Sequence, residues 1–345
     1  MKPQIYPPRL TALGIFLMVL PVVATAAEKP ISDVDACMLE AISTAEATTT
    51  VVELRRLCEG GSAGDTDVIT EESLGSSTVY ERDAITARYA EEAGVEQRAF
   101  AITPYRPNYI LYTHMDEPNQ APFEEPLGVE DPVQDKEMQF QVSIKAPVWR
   151  NMFGSNLDTY VAYTSRSYWQ LFNDDLSAPF RETNYEPEIY IRDFTSYELL
   201  GVRLEGWGLG FNHQSNGRGD PTSRSWNRIM GKAMLGTDSD LSFFLRTWYR
   251  IPEDDDDDDN PAMYKYLGYG DIRAIWTPNR NTFTAMIRPG EKDTGFELTW
   301  SYPISRVFRI YAQYYNGTGE SLIDYDYDIE RFGIGIALND YLQRF

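Results

Sequence analysis

The chain carries no long apolar segment after its first residues, and this feature constrains its fold most. Beyond residue 26 no stretch approaches 18 consecutive apolar residues, which excludes a membrane-spanning helix there. Aromatic residues nevertheless make up 13% of the sequence, with 23 Tyr and 7 Trp. From Tyr105 onward, short segments of alternating character are separated by turn residues. This combination is typical of a transmembrane β-barrel, whose strands alternate apolar and polar side chains.

The segments after Tyr105 form twelve candidate strands, an even number as in bacterial barrels. Short connections at 151–156, 236–240 and 278–281 alternate with longer ones, the pattern of tight periplasmic turns and long outer loops. A soluble β-sandwich is the alternative, but Tyr and Trp at the strand ends favour girdles at membrane interfaces. We therefore predict an all-β fold, a 12-stranded antiparallel transmembrane β-barrel over residues 101–345. Its strands are expected near 105–114, 136–147, 157–171, 184–194, 199–215, 224–235, 241–250, 263–275, 282–289, 294–303, 306–316 and 329–341.

The first 26 residues are organised as a secretory signal peptide. Lys2 and Arg9 are its basic residues, an apolar run covers 10–23, and Ala24-Thr25-Ala26 is a small-residue cleavage site. A membrane anchor is the alternative, but the run is short and contains Pro21. We therefore expect a secreted chain that begins near residue 27.

Residues 27–100 differ from the predicted barrel and are expected to form a small, partly helical periplasmic extension. Two segments with helical spacing contain Cys37 and Cys58, the only cysteines in the sequence. In an oxidising compartment such a pair is expected to form one disulfide. The stretch 59–96 is acidic and contains Gly and Ser, which predicts a tether with one short helix around 82–92.

The chain is strongly acidic. Its net charge of −22 becomes −24 once Lys2 and Arg9 leave with the signal peptide. Such a charge excludes nucleic acid as a partner, because phosphates would repel it, and suits divalent cations better. Residues 254–259 are six consecutive aspartates that follow Glu253 in a predicted outer loop. We expect this run to be a solvated loop, with weak cation collection as the alternative.

The candidate site lies in the segment 206–228. Side chains alternate along a strand, so His213 and Ser215 share one face, and that face is otherwise apolar. The Asp220-Pro221 pair predicts a turn, and a hairpin centred on Asp220 sets Asn227 opposite His213. These three side chains supply a nucleophile, a base and an orienting amide. The alternative is ordinary turn chemistry, since Ser and Asn are common turn residues.

Ser215 is the expected nucleophile and His213 the base that takes its proton, since imidazole titrates near pH 6.5 when unperturbed. Asn227 would hold the imidazole ring, although a neutral amide stabilises imidazolium less than an aspartate does. The backbone N–H of Gly217 is the expected donor to the oxyanion, because glycine allows close approach.

The segment NHQSNGRGDPTSRSWNR (212–228) resembles the signature of the outer-membrane phospholipase A family. The resemblance extends to SAPFRETNYEPEIYI (177–191), KYLGY (265–269), GESLIDYDY (319–327) and GIGIALND (333–340), so it covers about 105–341. It implies a calcium-dependent enzyme of the bacterial outer membrane, active as a homodimer, and assigns the same roles to Ser215, His213 and Asn227. Substrate would enter from the outer leaflet when phospholipid reaches it.

The resemblance also implies one Ca²⁺ per active site at the dimer interface. Its ligands would be Ser223, the backbone carbonyl of Arg218, and Ser177 from the facing subunit. Asp220 is assigned a turn role instead. Three departures from the family pattern are Gly219 in place of a serine, Ser165 in place of a glutamine at the dimer contact, and an extended C-terminus, 342–345. Arg181, Glu182 and Asn184 are interpreted as a polar network inside or above the barrel.

The sequence therefore predicts a serine hydrolase that cleaves sn-1 and sn-2 acyl esters of phospholipids and lysophospholipids. One alternative is a noncatalytic barrel, either a small porin or an adhesin. Another is an enzyme that modifies the acyl chains of lipopolysaccharide. Calcium-dependent release of fatty acid distinguishes the phospholipase from a pore. Lyso-phospholipid formed together with free fatty acid distinguishes it from the enzyme that modifies lipopolysaccharide.

Overall fold

The computed structural model describes residues 84–96, 101–194, 196–199, 201–254 and 258–342. The chain divides into two compact units, 1–77 and 78–345, and all described residues belong to the second. The predicted signal peptide and the predicted disulfide between Cys37 and Cys58 lie outside the described residues.

Antiparallel strands dominate the described residues. In chain order they are β1 (Thr103–Pro104), β2 (Asn108–Asp116), β3 (Lys136–Trp149), β4 (Leu157–Trp169), β5 (Phe180–Asp193), β6 (Tyr197–Leu199), β7 (Val202–Ser215), β8 (Ser225–Thr237), β9 (Leu241–Ile251), β10 (Gly270–Trp276), β11 (Thr282–Pro289), β12 (Thr294–Pro303), β13 (Arg309–Thr318) and β14 (Asp328–Asn339). The helices are short: α1 (Ala84–Glu96), α2 (Ala121–Leu127), α3 (Met263–Leu267) and two 3₁₀ turns, Met152–Gly154 and Asp174–Leu176.

The sheet closes on itself. Each long strand pairs with the next long strand along the chain, β3 pairs with β4 as well as β2, and β2 pairs with β14. The short strands β1 and β6 only add to β3 and β7. The remaining twelve strands form a closed antiparallel barrel, which confirms the predicted fold and strand number.

Two predicted strand boundaries are wrong. The segment expected as one strand over 263–275 begins with helix α3 and becomes strand β10 only at Gly270. Gly268 separates the two with a φ of 60°, a conformation that favours glycine. Strand β5 starts at Phe180 rather than near 184, because Phe180 pairs with Trp169 across a register shift.

The barrel is polar inside and apolar outside. On β3, the buried side chains are Glu137, Gln139 and Gln141, whereas Val142 and Ile144 are 50% and 36% exposed. The same alternation runs through the other long strands. It is the opposite of a soluble barrel, in which apolar side chains fill the interior, and it is the arrangement of a transmembrane β-barrel. Among the helices that the structure describes, none is long and apolar enough to cross a membrane.

Helix α1 confirms the helix predicted around 82–92, although it extends to Glu96. It packs on one rim of the barrel. Arg88 donates to the carbonyl oxygens of Pro104, Tyr105 and Tyr341, and Glu92 accepts from Lys145 of β3 at 2.6 Å. Burial opposes ionisation of Glu92, but Arg88, Lys145 and Arg192 outweigh it and lower the pKa of Glu92 to about 2.

Candidate active site

The candidate site lies on the outer face of the β7–β8 hairpin. Odd-numbered residues of β7 point outward, with Leu209 49% and Phe211 40% exposed, whereas Asn212 is fully buried inside the barrel. The strict alternation of a strand therefore places His213 and Ser215 on the membrane-facing surface. On β8, Ile229 is exposed and Arg228 buried, so Asn227 is also on the outer face.

His213 and Asn227 are direct cross-strand partners, as the hairpin count predicts. His213 Nδ1 lies 2.9 Å from Asn227 Oδ1. Because an amide oxygen only accepts hydrogen bonds, Nδ1 must carry the proton. The other ring nitrogen, Nε2, is then an acceptor and can take a proton from a hydroxyl.

Ser215 ends β7, two residues beyond His213 on the same face. It pairs with Ser225 on β8 and Tyr185 on β5, and its side chain is half-buried. In the described part of the chain no hydrogen bond joins the Ser215 hydroxyl to the imidazole. Such a contact between nucleophile and base is often long without substrate and shortens in the complex.

The connection 216–224 folds around the buried side chain of Asn216. Asn216 Oδ1 accepts from the N–H groups of Arg218 and Arg224, at 3.2 Å and 3.0 Å, and its amide nitrogen donates to Thr222 O at 2.8 Å. Gly217 takes a φ of 67°, and within the described residues its N–H donates to no acceptor. That amide, two residues beyond Ser215 in the chain, is therefore available to an incoming oxygen atom. The Asp220-Pro221 bond, placed at the turn as predicted, is cis.

The predicted calcium ligands Arg218 and Ser223 lie in this connection. The Arg218 side chain bonds Glu182 Oε2 at 3.2 Å and Arg181 O at 2.5 Å, which anchors the loop to β5. The Ser223 hydroxyl donates to the Asp259 carboxylate. Among the described residues no group of three His, Cys, Asp or Glu side chains could hold a metal. The predicted set is instead a hydroxyl and a carbonyl, which are hard oxygen ligands suited to Ca²⁺.

Ser177 lies apart from these residues, in the connection between β4 and β5. It is exposed, with a φ of 60°, and within the described residues no hydrogen bond links it to the 216–224 loop. Ser165, expected at a dimer contact, pairs with Tyr185, which in turn pairs with Ser215. The predicted contact residue and the nucleophile therefore belong to one row across the outer face.

The polar network predicted from Arg181, Glu182 and Asn184 is present and buried. Arg181 bonds Glu137 at 3.0 Å and Asp324 at 2.6 Å, and Asn184 donates to Glu182 at 2.6 Å. These side chains lie inside the barrel, on the other face of the sheet from His213.

Sequence analysis missed the residues that support the site from behind. Gln214, between His213 and Ser215 on the inner face, accepts from Trp226 Nε1 at 2.9 Å and from Arg228 at 3.1 Å. Asn227 Nδ2 donates to Glu253 Oε1 at 2.9 Å, just beyond the end of β9. Alternation along β7 could have identified Gln214. Identification of Glu253 would have required the register between β8 and β9, in which Ile251 pairs with Asn227.

Together these groups form a hydroxyl, an imidazole protonated at Nδ1 and an orienting amide on a membrane-facing surface, with an unpartnered backbone N–H two residues beyond the hydroxyl. Such a set can transfer an acyl group from an ester. The outward position next to Leu209 and Phe211 suits an ester that arrives in a lipid layer.

Comparisons with known proteins agree with this chemistry. A family model described as Phospholipase A1 matches residues 85–338. The Phospholipase A1 of Proteus vulgaris is 39% identical over 264 residues, which cover 75% of this chain and 88% of that protein. The Phospholipase A1 of Escherichia coli (strain K12) is 38% identical over the same shares.

Solved structures give the same assignment. The outer membrane phospholipase A from Escherichia coli is 38% identical, covering 70% of this chain and 100% of that chain, with a TM-score of 0.65. A Salmonella typhi outer membrane phospholipase dimer with bound calcium is 37% identical, covering 72% and 96%, with a TM-score of 0.68. The chain therefore belongs to the phospholipase A1 family and is an outer-membrane β-barrel phospholipase.

Proposed function

We propose that this phospholipase cleaves the sn-1 and sn-2 acyl esters of phospholipids and lysophospholipids, with Ser215 as nucleophile, His213 as general base and Asn227 as the residue that orients it. The hydrogen bond between His213 Nδ1 and Asn227 Oδ1 carries the proposal. It fixes the tautomer in which Nε2 can accept the serine proton.

In the first half of the reaction, His213 Nε2 takes the proton from Ser215 Oγ as this oxygen attacks the ester carbonyl carbon. The intermediate collapses when the bond to the glycerol oxygen breaks, and His213 returns the proton to that oxygen. Lyso-phospholipid leaves and an acyl-serine remains. Water, activated by the same imidazole, then releases fatty acid and restores the hydroxyl.

The N–H of Gly217 would donate to the negative oxygen of the intermediate; it is two residues beyond Ser215 in the chain and has no partner among the described residues. Ser223 and the Arg218 carbonyl would hold Ca²⁺ together with Ser177 of a second copy. When bound, the ion supplies positive charge near the developing oxyanion. The hydroxyl and carbonyl donors fit a hard cation, and the Asp259 carboxylate beside Ser223 adds negative charge at that position.

A dimer is proposed as the active form; within the described residues, no hydrogen bond joins Ser177 to the loop of the same chain that holds Arg218 and Ser223. The Salmonella typhi neighbour, a dimer with bound calcium, supports this proposal. The outward position of Ser215 implies that lipid reaches it laterally from the outer leaflet. Dimerisation there, when phospholipid enters that leaflet, would switch activity on.

The remaining parts of the chain are proposed as a signal peptide over 1–26 and a periplasmic extension over 27–100 with a disulfide between Cys37 and Cys58. The basic residues and apolar run before residue 26 support the first proposal. The secretion route supports the second, because disulfides persist in the periplasm.

The experiment that tests the proposed hydrolase function measures fatty-acid release from mixed phospholipid and detergent micelles. The refolded protein and its Ser215→Ala variant are each assayed with calcium and with a chelator. We expect release only from the parent protein with calcium, and a loss on the order of 10⁴-fold or more in the variant, because nucleophile removal eliminates the covalent route.

Folding of both proteins is checked by their mobility on gels before and after heating. Equal background release in all four samples, from protein shown to be a folded barrel, would contradict the proposed function.

A further inference from the structure

A chain of hydrogen bonds runs from His213 through Asn227 to Glu253. His213 Nδ1 bonds Asn227 Oδ1, and Asn227 Nδ2 donates to Glu253 Oε1, each at 2.9 Å. We propose that Glu253 is a positioning residue of the hydrolase site, which fixes the orientation of the Asn227 amide and places a negative charge behind it. This inference rests on the proposed roles of Ser215, His213 and Asn227.

The orientation of the Asn227 amide decides whether His213 can work as a base. If the amide were turned over, its NH₂ group would face Nδ1 and the ring proton would move to Nε2. Nε2 could then no longer accept the proton of Ser215. A carboxylate only accepts hydrogen bonds, so Glu253 requires the NH₂ group on its own side and the carbonyl oxygen toward His213.

The charge of Glu253 also compensates for the neutral amide. Asparagine orients imidazole but carries no charge to stabilise imidazolium as it forms in the transition state. A hydrogen bond from Nδ2 to a carboxylate polarises the amide and makes Oδ1 a stronger acceptor. Glu253 thus returns part of the stabilisation that an aspartate would give directly.

The surroundings hold Glu253 in place. It lies two residues beyond Ile251, the cross-strand partner of Asn227, and its side chain is 19% exposed. Arg250 Nη2 lies 3.8 Å from the other carboxylate oxygen of Glu253 and donates to Asp258 at 2.5 Å. Among the described residues, the ionisable groups near Glu253 are Arg250 on β9 and Asp258 and Asp254 in the following loop. Asp258 is not freely solvated, contrary to the expectation for the aspartate run.

The first test compares three variants at saturating calcium in the micelle assay. Glu253→Ala removes both orientation and charge, so kcat should fall about 10- to 100-fold with little change in KM. Glu253→Gln keeps an acceptor for Asn227 and removes only the charge, so kcat should fall less. In Glu253→Gln the acid limb of the pH profile of kcat/KM should also move about half a unit to lower pH, because imidazolium loses a nearby negative charge.

Asp254→Asn is the matched control, since it removes the same charge one residue further along and does not contact Asn227. It should leave kcat and the pH profile unchanged. A shift equal to that of Glu253→Gln would mean that only the field of the loop acts, and would overturn the proposal.

The second test exchanges the two functional groups. Asn227→Asp alone places two carboxylates against each other and should lower kcat strongly. Asn227→Asp combined with Glu253→Gln lets the new amide donate to the new carboxylate, which keeps its other oxygen toward His213. The double variant should therefore recover at least 10-fold over Asn227→Asp, a coupling that a merely structural loop residue would not show.

Recovery of activity in the double variant supports the proposal. It is overturned if Glu253→Ala keeps kcat within twofold of the parent, or if the double variant is no more active than Asn227→Asp. Failure of the proposed function would leave Ser215→Ala as active as the parent. It is therefore distinguished from failure of the Glu253 proposal alone.

Discussion

At the scale of single residues, the site depends on hydrogen-bond direction more than on charge. In the proposed mechanism, Asn227 must accept from His213, and Gly217 must offer a free N–H to the oxyanion. Both conditions are met because neighbouring side chains bind the competing groups. Glu253 takes the Asn227 NH₂ group, and Asn216 takes the amides of Arg218 and Arg224. The N–H of Gly217, between Asn216 and Arg218 in the chain, has no partner among the described residues.

Gly217→Ala should lower activity while the barrel remains folded. Gly217 has a φ of 67°, where alanine costs about 1 kcal/mol or more. An added Cβ would also lie 3.2 Å from Tyr185 Cε2. The strained φ and this close contact favour a shift of the loop that moves the N–H away from the oxyanion, so we expect kcat to fall about 10-fold or more in the micelle assay.

Gly219→Ala is the control for this substitution, in the same loop. Gly219 does not have a positive φ, and an added methyl would meet no atom within 4 Å. We expect its activity to stay within about twofold of the parent, since exposed substitutions away from such features have small effects. Equal losses in the two variants would show that the loop responds to any substitution rather than to the position of the Gly217 amide.

Prediction from sequence succeeded at this scale where strand geometry alone determines position. Alternation along β7 and a turn at Asp220 were sufficient to place His213 opposite Asn227. It did not find Glu253, because the predicted strands 224–235 and 241–250 left the register across the next turn open. It did not find the loop-organising role of Asn216 either, since side-chain bonds to loop amides depend on a backbone path that no periodicity determines.

At the scale of elements, helix α1 behaves as part of the barrel. Ile85 packs with Ile275 and Leu342, and Glu92 forms ion pairs with Arg88 and Lys145. The helix was predicted from its sequence, but as part of a tether. Its docking could not be predicted, because the partners come from strands distant in the chain. The error at 263–275 has a similar origin: α3 is a five-residue helix without enough sequence to show helical periodicity.

Acid should loosen α1 from the barrel. The pKa of Glu92, ordinarily 4.5, is lowered to about 2 when the helix is docked. The carboxylate therefore favours docking above pH 4.5, and this contribution is lost as the pH falls toward 2. This contribution is smaller than the roughly 3 kcal/mol that corresponds to the whole shift, because Arg88 lies on α1 itself and can pair with Glu92 without docking. Hydrogen exchange of the α1 amides, corrected for the intrinsic rate, should rise between pH 5 and pH 3 relative to that of the barrel strands.

Glu92→Gln is the companion variant for α1. It removes the carboxylate, so exchange of the α1 amides should already be faster at pH 7 and should show less dependence on pH. If the parent and Glu92→Gln have the same exchange at pH 7, the ion pairs of Glu92 do not hold the helix.

At the scale of the whole molecule, the apolar outer surface and polar interior follow from one alternating pattern, which is why the barrel and its twelve strands were predictable. The pattern does not say which interior charges meet. Those pairs join strands that are far apart in sequence, including the first and last parts of the barrel. Glu137 of β3, which is fully buried, bonds Arg181 of β5 and Arg331 of β14.

This buried cluster should contribute strongly to barrel stability. Glu137→Ala leaves Arg181 and Arg331 without their shared carboxylate, while Asp324 and Glu320 still pair with them. Loss of the buried hydrogen bonds to Glu137 is expected to cost about 1–3 kcal/mol. The midpoint of urea unfolding, followed by the mobility of unheated samples on gels, should fall accordingly.

Asp135→Asn is the control, because the Asp135 pair with His114 is about half exposed on both sides. Such a pair contributes about 1 kcal/mol or less. Because Glu137 joins β3 to β5 and to β14, the last strand of the barrel, we expect its loss to shift one cooperative transition rather than release a single strand. A separate early transition in Glu137→Ala would instead show that one part of the barrel unfolds first, while the closure between β2 and β14 stays intact without the cluster.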